Sequence, residues 1–91
     1  MLDRVKLALR ISTNAFDAEV EDLIAAAKRD LEIAGVIVKE TDPLIVRAIT
    51  TYCRVHFGSP DDYDRLKMSY DEQKAQMSMA TGYTDWGDID G

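Results

Sequence analysis

Apolar side chains recur at helical spacing along most of the chain, and the places where that period breaks divide it into four segments. In the first, residues 2–10, Leu2, Val5 and Leu9 fall on one face, and Ser12, Thr13 and Asn14 follow as residues that prefer caps and turns. The second, residues 15–34, carries the longest stripe: Val20, Leu23, Ile24, Ala27, Leu31 and Ala34 share one side. Asn14 is positioned to cap it, and Asp17, Glu19, Glu21 and Asp22 crowd its first two turns, where the helix dipole favours anions. Ala25, Ala26 and Ala27 would let a neighbouring helix come close. Gly35 supplies the left-handed residue that ends a helix.

Val36, Ile37 and Val38 are β-branched, but the chain holds no second strand-like run to pair with them. They read as a connection that tucks apolar side chains over the end of the second helix. Asp42-Pro43 then marks a helix start twice over, with a cap residue followed by proline at the first helical position. The third helix, residues 43–57, turns Ile45, Ala48, Ile49, Tyr52 and either Val55 or His56 inward, and Gly58 ends it. Ser59-Pro60 repeats the start signal. A fourth helix over residues 60–79 is expected to carry Tyr63, Leu66, Tyr70 and Met77 on one side, a thin stripe interrupted by Gln73 and Lys74. Residues 80–91 have no helical period and read as a mobile tail. The expected fold is therefore all-α, a small bundle of four helices forming one domain over residues 1–79, followed by that tail.

Composition narrows the function. A 91-residue chain, 46% hydrophobic and 31% charged, suits one folded domain and excludes low-complexity character. Its 17 acids against 11 bases give a formal net charge of −6, which counts against a free-standing nucleic-acid binder. Half of that charge lies in residues 80–91, which hold three acids and no base. The single cysteine excludes an internal disulfide, and no apolar run approaches the ~20 residues that span a membrane.

Chemistry finds little purchase. Cys53 and His56 are three apart on one helix, but a structural zinc site wants four ligands, and no glycine-rich turn presents the thiol to a substrate. Cys53 reads as a small core residue and His56 as a residue at the core's edge. The carboxylates cluster at helix starts, where the dipole accounts for them. No nucleophile elbow, phosphate-binding loop or dinucleotide fingerprint occurs. Neither a catalytic residue, a metal site nor a cofactor is expected.

Two features point outward. Arg47 and Arg54, seven apart, share a face of the third helix with Thr51 between them. As a recognition helix this face would offer only two bases on an acidic molecule, so contacts to acids of the second or fourth helix or of a neighbouring subunit are the better reading. In the tail, Tyr83, Trp86 and Ile89 recur every third residue, and aromatics anchor interfaces because they bury much area for little lost rotamer freedom. These five residues are the expected partner-binding positions.

The order of pieces resembles one family. KLALRIST at 6–13, FDAEVEDLIAAAKRDLEIAGV at 16–36, DPLIVRAITTYCRVHFG at 42–58 and SPDDYDRLKMSYDEQK at 59–74 together look like the small helical head–tail connectors of tailed phages and prophages, also described as head-completion or DNA-packaging proteins. The resemblance covers residues 1–79. It implies a non-enzymatic adaptor, made in the bacterial cytoplasm and ending in the virion neck. There about twelve copies would form a ring beneath the portal, extending the DNA channel and receiving the next tail-joining protein. Net acidity suits such a conduit, since like charge keeps passing DNA from sticking without sequence-specific binding. The rival readings are a small helical interaction module outside a virion and a DNA-binding regulator.

Overall fold

The computed structural model describes residues 1–58 and 61–79. Four helices follow one another: α1 (Leu2–Leu9), α2 (Asp17–Ile33), α3 (Pro43–His56) and α4 (Tyr63–Met79), with no strand among the described residues. The bundle is all-α, as the periodicity predicts. α3 lies at its centre and packs on all three others, while α1 also packs on α2.

Helix ends follow the backbone chemistry more closely than the apolar stripes do. At the start of α3 the Asp42 carboxylate accepts the Leu44 amide at 2.9 Å, and Pro43 gives up an amide that had no partner to lose. α2 ends as expected: Gly35 is left-handed at φ 88°, and the Gly35 and Val36 amides close back onto the carbonyls of Glu32 and Leu31. The same device ends α1, where the sequence offers no glycine. Arg10 takes φ 60°, and the Arg10 and Ile11 amides bond to the carbonyls of Leu7 and Lys6. The start of α2 departs from expectation. Asn14 does not cap it; the helix begins at Asp17 behind Phe16, and the Asn14 side chain instead accepts from Lys6 at 3.1 Å. Lys6 also pairs with Asp17 at 2.7 Å, so one ammonium ties α1, the connecting loop and α2 together. The Ser59-Pro60 start signal lies outside the described residues.

The core joins the inward stripes of all four helices: Val5 from α1; Val20, Ile24, Ala27 and Leu31 from α2; Ile45, Ala48, Ile49 and Cys53 from α3; Tyr70 and Met77 from α4. Ala27 and Ala48 are fully buried, and of the three consecutive alanines only Ala27 faces the bundle, Ala25 and Ala26 being exposed. Val36 is buried, with Val38 packed beside it, so the 36–38 run does cover the end of α2. On α3 it is Val55 that is buried; His56 is exposed. Tyr63 is also exposed, in the first turn of α4 ahead of the buried stripe of Leu66, Tyr70 and Met77.

Candidate interaction surface

The outer face of α3 carries Arg47 and Arg54, both exposed and neither in an ion pair among the described residues. Between them, Thr50 and Thr51 donate their hydroxyls back to the carbonyls of Val46 and Arg47, at 2.8 and 2.9 Å. Those donors are spent within the helix, so the guanidinium groups provide this face with its free hydrogen-bonding capacity. Arg47 borders a small pocket between α3 and α4, together with Leu44, Gln73, Gln76 and Met77. The Gln73 Oε1 atom is buried with no hydrogen-bond partner among the described residues. Arg54 lies toward the start of α4, where Asp62 is held below the usual carboxylate range by its hydrogen bond from Arg65, with the field of Arg54 adding to the effect.

Tyr83, Trp86 and Ile89 lie outside the described residues, so among the expected contact positions the structure describes the two arginines alone.

A polar and aromatic cluster links α2, α3 and α4. Asp30 accepts the Tyr70 hydroxyl at 2.6 Å and the Lys74 ammonium at 3.1 Å, and Tyr52 meets the Tyr70 ring edge-on at a centroid distance of 5.2 Å. Burial alone would push the Asp30 carboxyl up, but the hydrogen bonds from Tyr70 and Lys74 prevail and hold it below its ordinary value. Burial, with the Asp30 carboxylate accepting its hydroxyl, pushes the Tyr70 phenol well up. The apolar pattern misses this cluster because it registers Lys74 only as an interruption. The signal present was a tyrosine at a core position, whose hydroxyl needs a partner when buried.

The Cys53 thiol is buried and pushed up to about 12, far from the thiolate a nucleophile requires. His56 is exposed and meets the Tyr52 ring at a tilt, ring centres 4.3 Å apart. Among the described residues no group of three or more potential metal ligands assembles, and no helix is long and apolar enough to cross a membrane.

Large apolar side chains are nevertheless left in solvent on separate helices: Leu7 on α1, Ile33 on α2, Leu44 on α3, and Met68 and Met79 on α4. A helical domain that keeps its free guanidiniums and bare apolar side chains on outer faces is equipped for contacts with other proteins. The chain belongs to the phage connector protein family, whose sequence model matches residues 1–84. It is a family of structural proteins rather than enzymes, with its role at the head–tail joint in the neck of the virion. The match runs past the end of α4 to include Tyr83, and stops short of Trp86 and Ile89. A search of curated proteins finds no match, and neither does a search of solved structures.

Proposed function

We propose that the protein is a ring-forming adaptor of a phage or prophage, about twelve copies of which sit beneath the portal at the capsid vertex. The ring extends the DNA channel and offers a platform to the next tail-joining protein, completing the head after DNA packaging. The observation that carries this reading is the family match over residues 1–84. The distribution of exposed apolar side chains over separate helices supports it, since a ring subunit needs one surface for each neighbour and others for the components above and below.

On this reading residues 1–79 are the connector domain and residues 80–91 an acidic-aromatic tail that orders on a partner through Tyr83, Trp86 and Ile89. Arg47 and Arg54 are partner contacts of α3. Passing DNA is not bound in a sequence-specific way, because the net charge of −6 repels phosphate. Assembly takes place in the bacterial cytoplasm.

Size-exclusion chromatography and negative-stain microscopy of the full chain, alone at high concentration and mixed with its portal protein, test the reading. Closed rings, free or seated on the portal, are expected. Monomers that ignore the portal, or duplex binding that weakens by several powers of salt concentration, would overturn it.

A further inference from the structure

The two flanks of the bundle differ in charge in a complementary way. α1 packs on α2 and α3, whereas α4 packs on α3 and reaches α2 through Asp30, so α1 and α4 share no packed seam and form opposite edges. On the outer side of α4, Asp64, Met68, Glu72, Ala75 and Met79 are all exposed and fall on one stripe, with Met68 63% and Met79 80% accessible. The bases of this helix are already engaged: Arg65 pairs with Asp62, Lys67 with Asp71 and Lys74 with Asp30. Asp64 and Glu72 have no ion-pair partner among the described residues, which leaves an unbalanced acidic stripe around an apolar centre. The outer side of α1 is its counterpart. Leu7 is 79% accessible, and Arg4 and Arg10 on either side of it are exposed without ion-pair partners among the described residues, outnumbering the exposed Asp3 one turn before Leu7.

Resting on the ring reading, we propose that these flanks form the subunit–subunit interface. The α1 edge of one copy seats Leu7 against Met68 on the α4 edge of the next, while Arg4 and Arg10 meet Glu72 and Asp64. The occupant of each flank is a second copy of this chain. Because the two patches are different surfaces on opposite edges, the contact is heterologous: each copy leaves one patch free for a further neighbour, and the series closes when the rotation between copies allows. Opposite charges bracketing one apolar pair fix the direction of assembly, since α1 against α1 or α4 against α4 would juxtapose like charges.

The test uses charge exchange and crosslinking in the full chain, alone and with the portal protein. Arg4→Glu and Glu72→Arg are each expected to raise the concentration for half-assembly about tenfold, and the double exchange to bring it back within about threefold of the unaltered chain. Leu7→Cys combined with Met68→Cys should yield, on oxidation, a ladder of disulfide-linked multimers. Either cysteine alone should yield no ladder, the native Cys53 being buried. Rings that form normally in both single charge variants and give no ladder would overturn this interface while leaving the ring reading intact. Covalent dimers from Leu7→Cys alone would replace it with a symmetric contact. A chain that stays monomeric even with the portal would overturn both.

Discussion

Tyr70 on α4 donates its hydroxyl to Asp30 on α2 at 2.6 Å, and the same carboxylate oxygen accepts Lys74 at 3.1 Å. This is the main polar tie between helices otherwise held together through α3. Tyr70 is almost fully buried while Asp30 keeps a third of its side chain in solvent, so the phenol is the member that loses most if the bond is broken. Tyr70→Phe is expected to destabilise the domain by about 1–2 kcal/mol. Lys74→Met should cost less, its ammonium being partly solvated. Urea unfolding followed by circular dichroism measures both, and a Tyr70→Phe variant as stable as the parent would mean that ring packing alone holds α4 in place.

The same carboxylate sets the acid limit. Its pKa in the folded chain lies below the ordinary value of 3.8, so its contribution is fully present above that pH and is lost as the pH falls through the folded value. Thermal stability should therefore drop on acidification below about pH 4, and Asp30→Asn should flatten that part of the profile while lowering stability at neutral pH. Asp62 and Glu40, held low by Arg65 and Lys28, act in the same direction, but each rests on a single ion pair with a partner at the surface, so their share is small. An unaltered acid slope in Asp30→Asn would assign the acid transition to other carboxylates.

Residues whose role is to be apolar on one side were legible from spacing alone. Val20, Ile24, Ala27 and Leu31, like Ile45, Ala48 and Ile49, are buried because a helix with one apolar stripe has one way to hide it. Pro43 and Gly35 were legible because each removes backbone alternatives. Arg10 was not, since nothing in an arginine announces a left-handed conformation; it goes with the amide bonds of Arg10 and Ile11 back onto Leu7 and Lys6. Tyr63 misled for a related reason: its spacing matches the buried stripe, but α4 begins there, where little of the bundle faces it. Asp30 and Lys74 lie 44 residues apart, and a pairing at that distance leaves no periodic trace. Of the proposed interaction surface, the α3 arginines could be named as candidates, whereas Met68 and Leu7 emerged only once burial showed which apolar residues the core leaves out.

Alkaline pH strains the fold through the core. Burial raises the Cys53 thiol from 9.0 to about 12, and burial together with the Asp30 carboxylate raises Tyr70 above 10.0. A raised pKa means stability that is complete below the unfolded value and declines as the pH climbs from there toward the folded one. Stability should thus begin to fall near pH 9 and more steeply beyond pH 10, as thiol and phenol ionise in the unfolded chain. Cys53→Ala is expected to lower stability at neutral pH by leaving a small cavity, yet to make the decline between pH 9 and 10 shallower. Chemical denaturation at a series of pH values separates the two effects. A decline of equal steepness in the variant would exclude the thiol as its source.

Gln73 offers the opposite case, a polar group the fold would do better without. Its Oε1 atom is buried beside Met77 and Leu44 and meets no donor among the described residues. An amide oxygen removed from water without a partner costs free energy that a thioether of similar length does not. Gln73→Met is expected to raise stability by about 0.5–1 kcal/mol, read as a higher urea midpoint with unchanged slope. A loss of stability would show that a donor reaches this oxygen in solution.

Removal of residues 80–91 separates folding from assembly. Among the described residues, the four helices and the buried core they share lie within residues 1–79, so the shortened chain should keep its helical signal and its unfolding midpoint. If the tail anchors a partner through its aromatic side chains, assembly on the portal should weaken by about tenfold or more. The deletion also removes three acids and no base, half of the net charge of −6, so a second variant is needed to distinguish anchoring from electrostatics. Replacing Tyr83, Trp86 and Ile89 together by alanine keeps every aspartate. Loss of assembly in that variant at constant charge assigns the effect to the apolar side chains, and the effect should persist at high salt. Full assembly in the triple variant with loss in the deletion would instead make the tail a charged spacer.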